Sequence, residues 1–152
     1  MGIATGHGDV TRNTITMGGP YAGEIGISGA DLVKANMIQY SDVGITGAAR
    51  ASDNVLLNNN TGIVGNVASL NIIYAPSTYR PTNIEECTFP VSIPLCVVPT
   101  VGVNLGCQDG SLVQENGILN VGVGVANVES KASFSPTNVI SGVTTTSTGC
   151  AN

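Results

Sequence analysis

The sequence predicts an all-β fold, a single antiparallel β-sandwich or jelly-roll-like domain with an extended N-terminal arm. Apolar side chains alternate with other residues over positions 89–107 and again over 119–125, and a period of two is that of a β-strand. Turn-forming residues recur roughly every 8–12 positions, as they do in sandwiches and small barrels. The segment 1–23 contains six glycines and orders poorly alone, because glycine loses the most backbone entropy.

The alternating segments supply the predicted core. A strand break is expected near Pro99, whose missing N–H cannot serve a central ladder. Pro90 and Pro94 fall on the outward side and indicate an exposed edge, whereas even-numbered polar residues such as Thr100 should face solvent. The predicted core residues are Val91, Ile93, Leu95, Val97, Val101, Val103, Leu105, Leu119, Val121, Val123 and Val125.

The other elements are short. Positions 30–40 are the one helix candidate, with a stripe of apolar residues at three- and four-residue steps, and a strand is the alternative. The three asparagines at 58–60 predict a turn that pairs strands 55–57 and 63–67. Asp109-Gly110 is a hairpin signal. No internal repeat is apparent, so a propeller or a solenoid is not expected.

The predicted division of the chain is an arm, residues 1–23, and a sandwich domain, residues 24–152. We expect the arm to reach an adjacent subunit and add a strand to its sheet edge. Burial of a few apolar side chains would not offset the cost of ordering the arm, so backbone pairing is required. The arm's predicted anchors are Ile3, Val10, Ile15 and Met17.

The amino-acid composition limits the classes of partner that we expect. Charged residues make up 10% of the chain, against about 25% in typical soluble domains. A neutral surface of this kind favours packing against copies of itself, although a secreted domain low in charge is the alternative. The net charge is −5 and the five basic residues are scattered, so nucleic acid is not an expected partner. No stretch approaches the roughly 20 apolar residues that span a bilayer, so a membrane is not expected either.

Four cysteines have spacings that match no zinc or redox motif. Four cysteines allow three disulfide pairings, and the sequence does not choose among them or against free buried thiols. The candidates for disulfides are Cys87, Cys96, Cys107 and Cys150.

No catalytic motif is visible. The single histidine, His7, could hold a metal with Asp9, but two ligands are too few, and a solvated histidine is the simpler interpretation. Hydrolysis by carboxylate pairs needs no histidine, yet a loop position explains these residues better. We therefore expect a protein without enzymatic activity, cofactor or metal; the carboxylate pairs considered are Glu85 with Glu86, Asp109 with Glu115, and Asp31 with Asp42.

These observations favour a self-assembling structural subunit, in a virion as coat, capsid decoration or tail protein, whose partners are its own copies and possibly other structural subunits. The first alternative is a disulfide-bonded filament subunit, extracellular or on a cell or spore surface. The second is a carbohydrate-binding β-sandwich module, for which Tyr74 and Tyr79 flank the best candidate patch. The virion assignment is an analogy of composition and fold, and no motif carries it.

Overall fold

The chain forms a parallel β-helix. The computed structural model describes residues 1–19, 23–76, 78–79, 98–129, 133–134 and 137–150. Within these residues it has twenty-one short strands and no helix. One seven-stranded sheet and two six-stranded sheets account for nineteen of the strands, and each pair of neighbours in them is parallel. The other two strands form a small antiparallel pair.

The strands have the following bounds. The first sheet contains β1 (Ile3–Ala4), β4 (Ile25–Ser28), β7 (Val43–Ala48), β10 (Thr61–Gly65), β15 (Val101–Asn104), β18 (Val123–Val128) and β21 (Thr145–Gly149). The second contains β2 (Asp9–Thr11), β5 (Leu32–Lys34), β8 (Arg50–Ser52), β11 (Val67–Ser69), β16 (Leu112–Gln114) and β19 (Ser133–Phe134). The third contains β3 (Thr14–Thr16), β6 (Met37–Gln39), β9 (Val55–Leu57), β12 (Ile72–Tyr74), β17 (Gly117–Leu119) and β20 (Val139–Ser141). The antiparallel pair is β13 (Thr78–Tyr79) with β14 (Val98–Pro99).

Successive strands belong to different sheets. The chain visits the first, second and third sheet in turn, and each circuit, or coil, stacks on the one before it. In the described residues six such coils follow one another, and β21 begins a seventh. The antiparallel pair lies between the fourth and fifth coils, where β12 ends and β15 begins.

A repeated two-residue corner joins the second sheet to the third. Its first residue has a positive φ in five coils, near 55–58°, although none of the five is glycine: Arg12, Ala35, Asp53, Leu70 and Glu115. Its second residue is always asparagine in these coils, at Asn13, Asn36, Asn54, Asn71 and Asn116. A left-handed conformation is unfavourable for these residues, and the asparagine that follows each one stabilises the corner through side-chain hydrogen bonds.

These asparagines form a ladder through the interior. The Oδ1 atom of Asn54 accepts hydrogen bonds from the backbone N of Asn36 at 3.0 Å and from its Nδ2 at 3.1 Å. The same Asn36 Nδ2 also donates to the carbonyl oxygen of Val10 in the coil before it. Asn71, Asn116 and Asn138 continue the pattern. Each rung satisfies backbone groups that the corner would otherwise leave unpaired in the interior.

Aliphatic side chains fill the coils in rows. Each row has one member in each of the second to fifth coils, fully or almost fully buried, so these coils cover one another, as in other stacked repeats. The rows come from the first, second and third sheets: Ile27, Ile45, Ile63, Val103 and Val125; Val33, Ala51, Ala68 and Val113; Ile38, Leu56, Ile73 and Ile118.

A row of glycines within the strands of the first sheet faces the aliphatic row of the third sheet. A Cβ atom on Gly62 would stand 2.6 Å from the carbonyl oxygen of Gly102 and 2.8 Å from Cγ2 of Ile73. Gly26, Gly44, Gly102 and Gly124 have equally close neighbours. The row needs glycine because backbone and side chain leave no room for a methyl group.

The predicted sandwich or jelly roll is therefore wrong, although the chain is built of strands as expected. Period-two alternation identifies a strand but not its partner, and here the partner is one coil away. The expectation that the chain has no solenoid repeat is also wrong. The repeat is hidden because its asparagines are 23, 18, 17, 45 and 22 residues apart, so no fixed period appears.

Three local predictions are corrected as well. Positions 30–40 form no helix but strands β5 and β6, separated by the left-handed Ala35. Asn58–Asn60 does not join a hairpin, because β9 belongs to the third sheet and β10 to the first. The Asp109-Gly110 turn likewise joins β15 and β16 of different sheets.

The predicted core is right in part. Val103, Leu105, Val121 and Val125 are buried, whereas Val101, Leu119 and Val123 are half-buried on the outward side of their strands. Thr100 is buried, against expectation, because its hydroxyl donates to the carbonyl oxygen of Pro76 and accepts from the backbone N of Gly122. The segment 119–125 is divided by the corner at Val121. Val91, Ile93, Leu95 and Val97 lie outside the described residues.

The N-terminal segment forms the first coil. Strands β1, β2 and β3 pair with β4, β5 and β6 of the second coil, so the segment does not extend away from the domain. The predicted boundary at residue 23 falls between these two coils. Contact of this segment with a neighbouring subunit stays a prediction.

Candidate interaction surface

The outer face of the third sheet is a flat surface built from two rows of side chains. In each three-residue strand of this sheet the middle residue points inward, and the first and third point outward. The first outward row is Thr14, Met37, Val55, Ile72, Gly117 and Val139. The second outward row is Thr16, Gln39, Leu57, Tyr74, Leu119 and Ser141.

Large apolar side chains on this face are exposed. The exposed fraction is 40% for Met37, 50% for Ile72, 42% for Tyr74 and 64% for Val139. Leu70, in the adjoining corner, is exposed to the same extent as Ile72. Scattered apolar residues are normal on a protein surface, but a contiguous group of this kind marks an interaction site.

The face is also uncharged. Its two rows contain no Asp, Glu, Lys or Arg among the described residues, whereas the outward positions of the second sheet include Asp9, Lys34 and Arg50. The adjoining corner, which holds Leu70, carries exposed charges in other coils at Arg12, Asp53 and Glu115, so the neutral region is confined to the two rows. Depletion of charge at the centre is the compositional mark of protein interfaces.

A shallow depression lies diagonally across from Tyr74, the one aromatic side chain of the two rows. Gly117 pairs with Ile72 of the neighbouring strand, and Tyr74 pairs with Leu119. A Cβ atom on Gly117 would have no atom within 4 Å, so the space above its backbone is open. The first outward row therefore has a gap at Gly117, between the side chains of Ile72 and Val139. Tyr74 lies on the neighbouring strand, two residues further along.

A second concave region follows the corners between the first and second sheets. Its volume is about 510 Å³, and its polar lining includes His7, Asp31, Asn66 and Gln108. Asp31 accepts a hydrogen bond from the backbone N of Gly8 at 2.8 Å, and His7 Nδ1 lies 3.4 Å from its Oδ1. The bond from Gly8, with the neighbouring His7, lowers the pKa of Asp31 below its ordinary value. This pair ties the first coil to the second.

The acidic residues considered for catalysis are not brought together in pairs. Asp31 precedes β5 and Asp42 precedes β7, at different corners of a coil. Asp42 accepts hydrogen bonds from Gly23 N at 2.9 Å and Asn60 Nδ2 at 3.1 Å. Asp109 and Glu115 also lie at different corners, before and after β16, while Glu85 and Glu86 lie outside the described residues.

Neither metal nor membrane features are found in the part of the chain that the structure describes. Its His, Cys, Asp and Glu residues form no group of three or more that could hold a metal ion. Likewise, these residues form no helix able to cross a bilayer.

Comparison with protein families, with curated proteins and with solved structures gave no match to this chain. Its function must therefore be inferred from its own surfaces.

The predicted assembly residues lie in the first coil. Val10 and Ile15 are buried in its interior, and Ile3 and Met17 pack against the same core. Cys107 and Cys150 form a disulfide that ties the corner after β15 to the end of β21, while Cys87 and Cys96 lie outside the described residues.

The apolar face was not found from the sequence. Tyr74 is exposed, as a binding residue should be, but its strand neighbours are Leu57 and Leu119; the side chain of Tyr79 is outside the described set. The available signal was the motif of asparagine followed by a strand whose first and third residues are apolar, as in Asn54-Val55-Leu56-Leu57 and Asn71-Ile72-Ile73-Tyr74.

Proposed function

We propose that this chain is a non-enzymatic structural subunit that assembles with copies of itself. The observation that carries the proposal is the uncharged, apolar outer face of the third sheet. Exposing such a face to water is unfavourable, by about 25 cal/mol per Å² of apolar area. Covering it in an assembly removes that cost.

The interior supports the same proposal. The asparagine ladder and the buried aliphatic rows hold six coils in register, which makes the outer faces rigid. A rigid flat face loses little conformational entropy when it binds. Such a scaffold suits a building block better than it suits a protein that must close around a substrate.

The self-assembling subunit could belong to one of two kinds of assembly. A virion was our expectation from composition, with an extracellular or surface filament as the alternative. Both remain predictions, and the self-assembling subunit is the common element.

Sugar binding is a second candidate function, because the exposed Tyr74 offers an aromatic platform. The residues beside it on the sheet are Leu57 and Leu119, and they supply no hydrogen-bonding groups for sugar hydroxyls. A glycan array with the wild-type chain tests this alternative, and Tyr74-dependent binding to one glycan class would support it.

The test of self-assembly is sedimentation velocity over a concentration series from micromolar to millimolar. We expect the sedimentation coefficient to rise with concentration, and electron microscopy of the most concentrated sample to show defined oligomers. A chain that remains monomeric throughout would contradict the proposal.

A further inference from the structure

We infer that Asn116 is a modification site whose chemistry the fold controls: its side-chain amide is lost by deamidation in the unfolded chain and is protected in the folded chain. Asn116 is followed by Gly117, and this is the one Asn-Gly pair in the sequence. The reaction consumes only water, so it requires no enzyme and no cofactor. The inference goes beyond the proposed function, since it holds for a single chain whether or not copies assemble.

The reaction is intramolecular and begins at the backbone. The amide nitrogen of Gly117 gives up its proton and attacks Cγ of Asn116, the bond from Cγ to Nδ2 breaks, and ammonia leaves. The product is a cyclic succinimide. Water then adds to one of the two ring carbonyls and opens the ring, which gives aspartate or isoaspartate. A glycine after the asparagine favours ring closure, because it has no side chain to hinder the attack and its backbone is the least restricted.

Asn116 is the labile rung of the asparagine ladder. Each of the other rungs is followed by a residue with a side chain, and branching at Cβ restricts the backbone further. Glycine at 117 is also not required by packing, because a Cβ atom there would meet no atom within 4 Å. The other rungs with their following residues are Asn13-Thr14, Asn36-Met37, Asn54-Val55, Asn71-Ile72 and Asn138-Val139.

The folded chain opposes the reaction at both nitrogens. The attacking nitrogen of Gly117 donates a 2.8 Å hydrogen bond to the carbonyl oxygen of Asn71. The leaving nitrogen, Nδ2 of Asn116, donates to the carbonyl oxygens of Ala68 and Gln114, each at 2.9 Å. Ring closure would break these bonds and leave buried groups unpaired, which is unfavourable. Asn116 is only 1% exposed, so the water that hydrolyses the ring is excluded as well.

The product does not fit the ladder. An aspartate at 116 has no N–H group for the carbonyl oxygens of Ala68 and Gln114, and it sets a carboxylate against Oδ1 of Asn138, which accepts from Nδ2 of Asn116 at 3.0 Å. A buried charge beside acceptor oxygens is unfavourable. Isoaspartate also adds a methylene group to the main chain just before β17. A chain that deamidates while unfolded therefore does not rebuild this rung, and unfolding becomes irreversible with time.

Peptide mass spectrometry measures the reaction directly. The wild type is incubated at mildly alkaline pH, in buffer and in enough urea to unfold it, and the peptide that contains position 116 is followed. In urea, Asn116 should be the first asparagine to be modified. Because folded chains outnumber unfolded ones by about 10³ or more in small domains, deamidation at 116 should be at least about a hundredfold slower in buffer. A smaller difference, or another asparagine modified first in urea, would overturn the inference.

Gly117→Ala is the matched variant. It keeps every rung of the ladder and should fold normally, since its methyl group meets open space and Gly117 has no left-handed φ, but that methyl group hinders ring closure. Both chains are aged in urea and then diluted into buffer, and refolding is followed by circular dichroism. The refolded fraction of the wild type should fall as its deamidated fraction rises, whereas Gly117→Ala should still refold.

Other damage is common to the two chains, including isomerisation at Asp109-Gly110, which proceeds by the same chemistry without a change in mass. The comparison therefore isolates position 116. If aged Gly117→Ala refolds as poorly as the aged wild type, modification of Asn116 is not what prevents refolding. If the deamidated wild type refolds as well as fresh protein, the ladder accepts the product. Either result would overturn the inference.

Discussion

The Oδ1 atom of Asn116 accepts two hydrogen bonds from Asn71, one from its backbone N and one from its Nδ2, each 3.0 Å long. The two residues are 45 positions apart in the chain, yet they are consecutive rungs of the ladder. Between them the chain contains the antiparallel pair β13 and β14, which belongs to none of the three sheets, and the coils on either side of this pair still stack directly on each other. Long insertions are tolerated in this way because the cost of closing a loop rises slowly with its length.

Removal of a central rung should destabilise the fold strongly. In Asn71→Ala, the backbone N of Asn54 loses its acceptor, Asn54 Nδ2 loses one of its two acceptors, and the carbonyl oxygen of Ala51 loses a donor. Each buried group left unpaired costs about 1–3 kcal/mol, so the free energy of unfolding should fall by about 3 kcal/mol or more. Urea unfolding followed by circular dichroism measures this loss.

The first rung is the matched control for that experiment. Asn13 donates to Asn36, but no described asparagine precedes it and donates to its own Oδ1. Asn13→Ala should therefore cost about 1 kcal/mol. Equal losses for the two variants would show that the ladder does not act as a cooperative stack.

The strands were predictable from the sequence, but their partners were not. For example, Ile72, Ile73 and Tyr74 are of types that favour strands, and they form β12. The corner before β12 recurs in five coils, and its left-handed position has no common side chain: leucine, aspartate, arginine, alanine and glutamate all occur there. Conformation at that position is imposed by the stacked coils, so propensity rules do not reveal it.

The sequence predicts that the surface is low in charge, but it does not predict which residues form the candidate face. The low charge of the chain predicts a neutral exterior, and the two outward rows of the third sheet are neutral among the described residues; self-association through them stays a prediction. Which residues share the face depends on register between coils, for example Ile72 beside Gly117. That register is fixed by the ladder between Asn71 and Asn116, two residues whose pairing cannot be read from a spacing of 45.

The glycine row should tolerate no side chain. In Gly62→Ala the new methyl group overlaps the carbonyl oxygen of Gly102, 2.6 Å away, and Ile73 Cγ2, 2.8 Å away. Overpacking of this kind costs about 1–3 kcal/mol. Thermal and urea unfolding should both show the loss.

Gly117→Ala is the control for the glycine row, since both glycines lie within strands. The methyl group at 117 meets no atom within 4 Å, and alanine is favoured over glycine in a strand by about 0.5–1 kcal/mol. This variant should be as stable as the wild type or slightly more so. If both alanine variants lose stability equally, close packing is not what selects glycine at position 62.

The stability contributed by Asp31 should depend on pH. Its pKa is lowered by the hydrogen bond from Gly8 N and by His7, so the folded state favours the carboxylate. That contribution is present above the ordinary value of 3.8 and is lost as the pH falls through the lowered folded value. The difference in unfolding free energy between wild type and Asp31→Asn should therefore be small but constant at neutral pH and should disappear in acid. A difference that persists at the acid end would contradict this account.

The disulfide should hold the C-terminal strand in place. Cys107 and Cys150 enclose 43 positions of chain, and a closed loop of that length corresponds to about 2–4 kcal/mol of stability. The double variant Cys107→Ser, Cys150→Ser should lose that amount, and amide hydrogens of Thr145–Gly149 should exchange faster. The double alanine variant should lose as much, since the linkage matters and not the side chains. Unchanged exchange in β21 would show that strand pairing alone retains it.

Deletion of residues 1–17 tests whether this segment is the first coil of the β-helix or an arm that packs on a neighbouring subunit. An arm that packs only on a neighbour could be removed without loss of stability. The structure instead places Val10 and Ile15 over the second coil, where Ile27, Val33 and Ile38 are fully buried. The deletion uncovers those side chains, and burial of Val10 and Ile15 alone contributes about 1.5–3 kcal/mol each. We expect a lower urea midpoint and increased binding of an apolar dye.

The same truncated chain separates the two ideas about assembly. It retains Tyr74 and Gly117 and loses only the edge strand β3 of the third sheet. If the third-sheet face joins copies, the truncated chain should still associate under conditions in which it is folded, with affinity reduced only modestly. Ile15→Ala in the full chain is the control, because it weakens the first coil and leaves every outward residue unchanged. A truncated chain with an unchanged urea midpoint and no association would instead support the intersubunit arm, with Ile3, Val10, Ile15 and Met17 as its anchors.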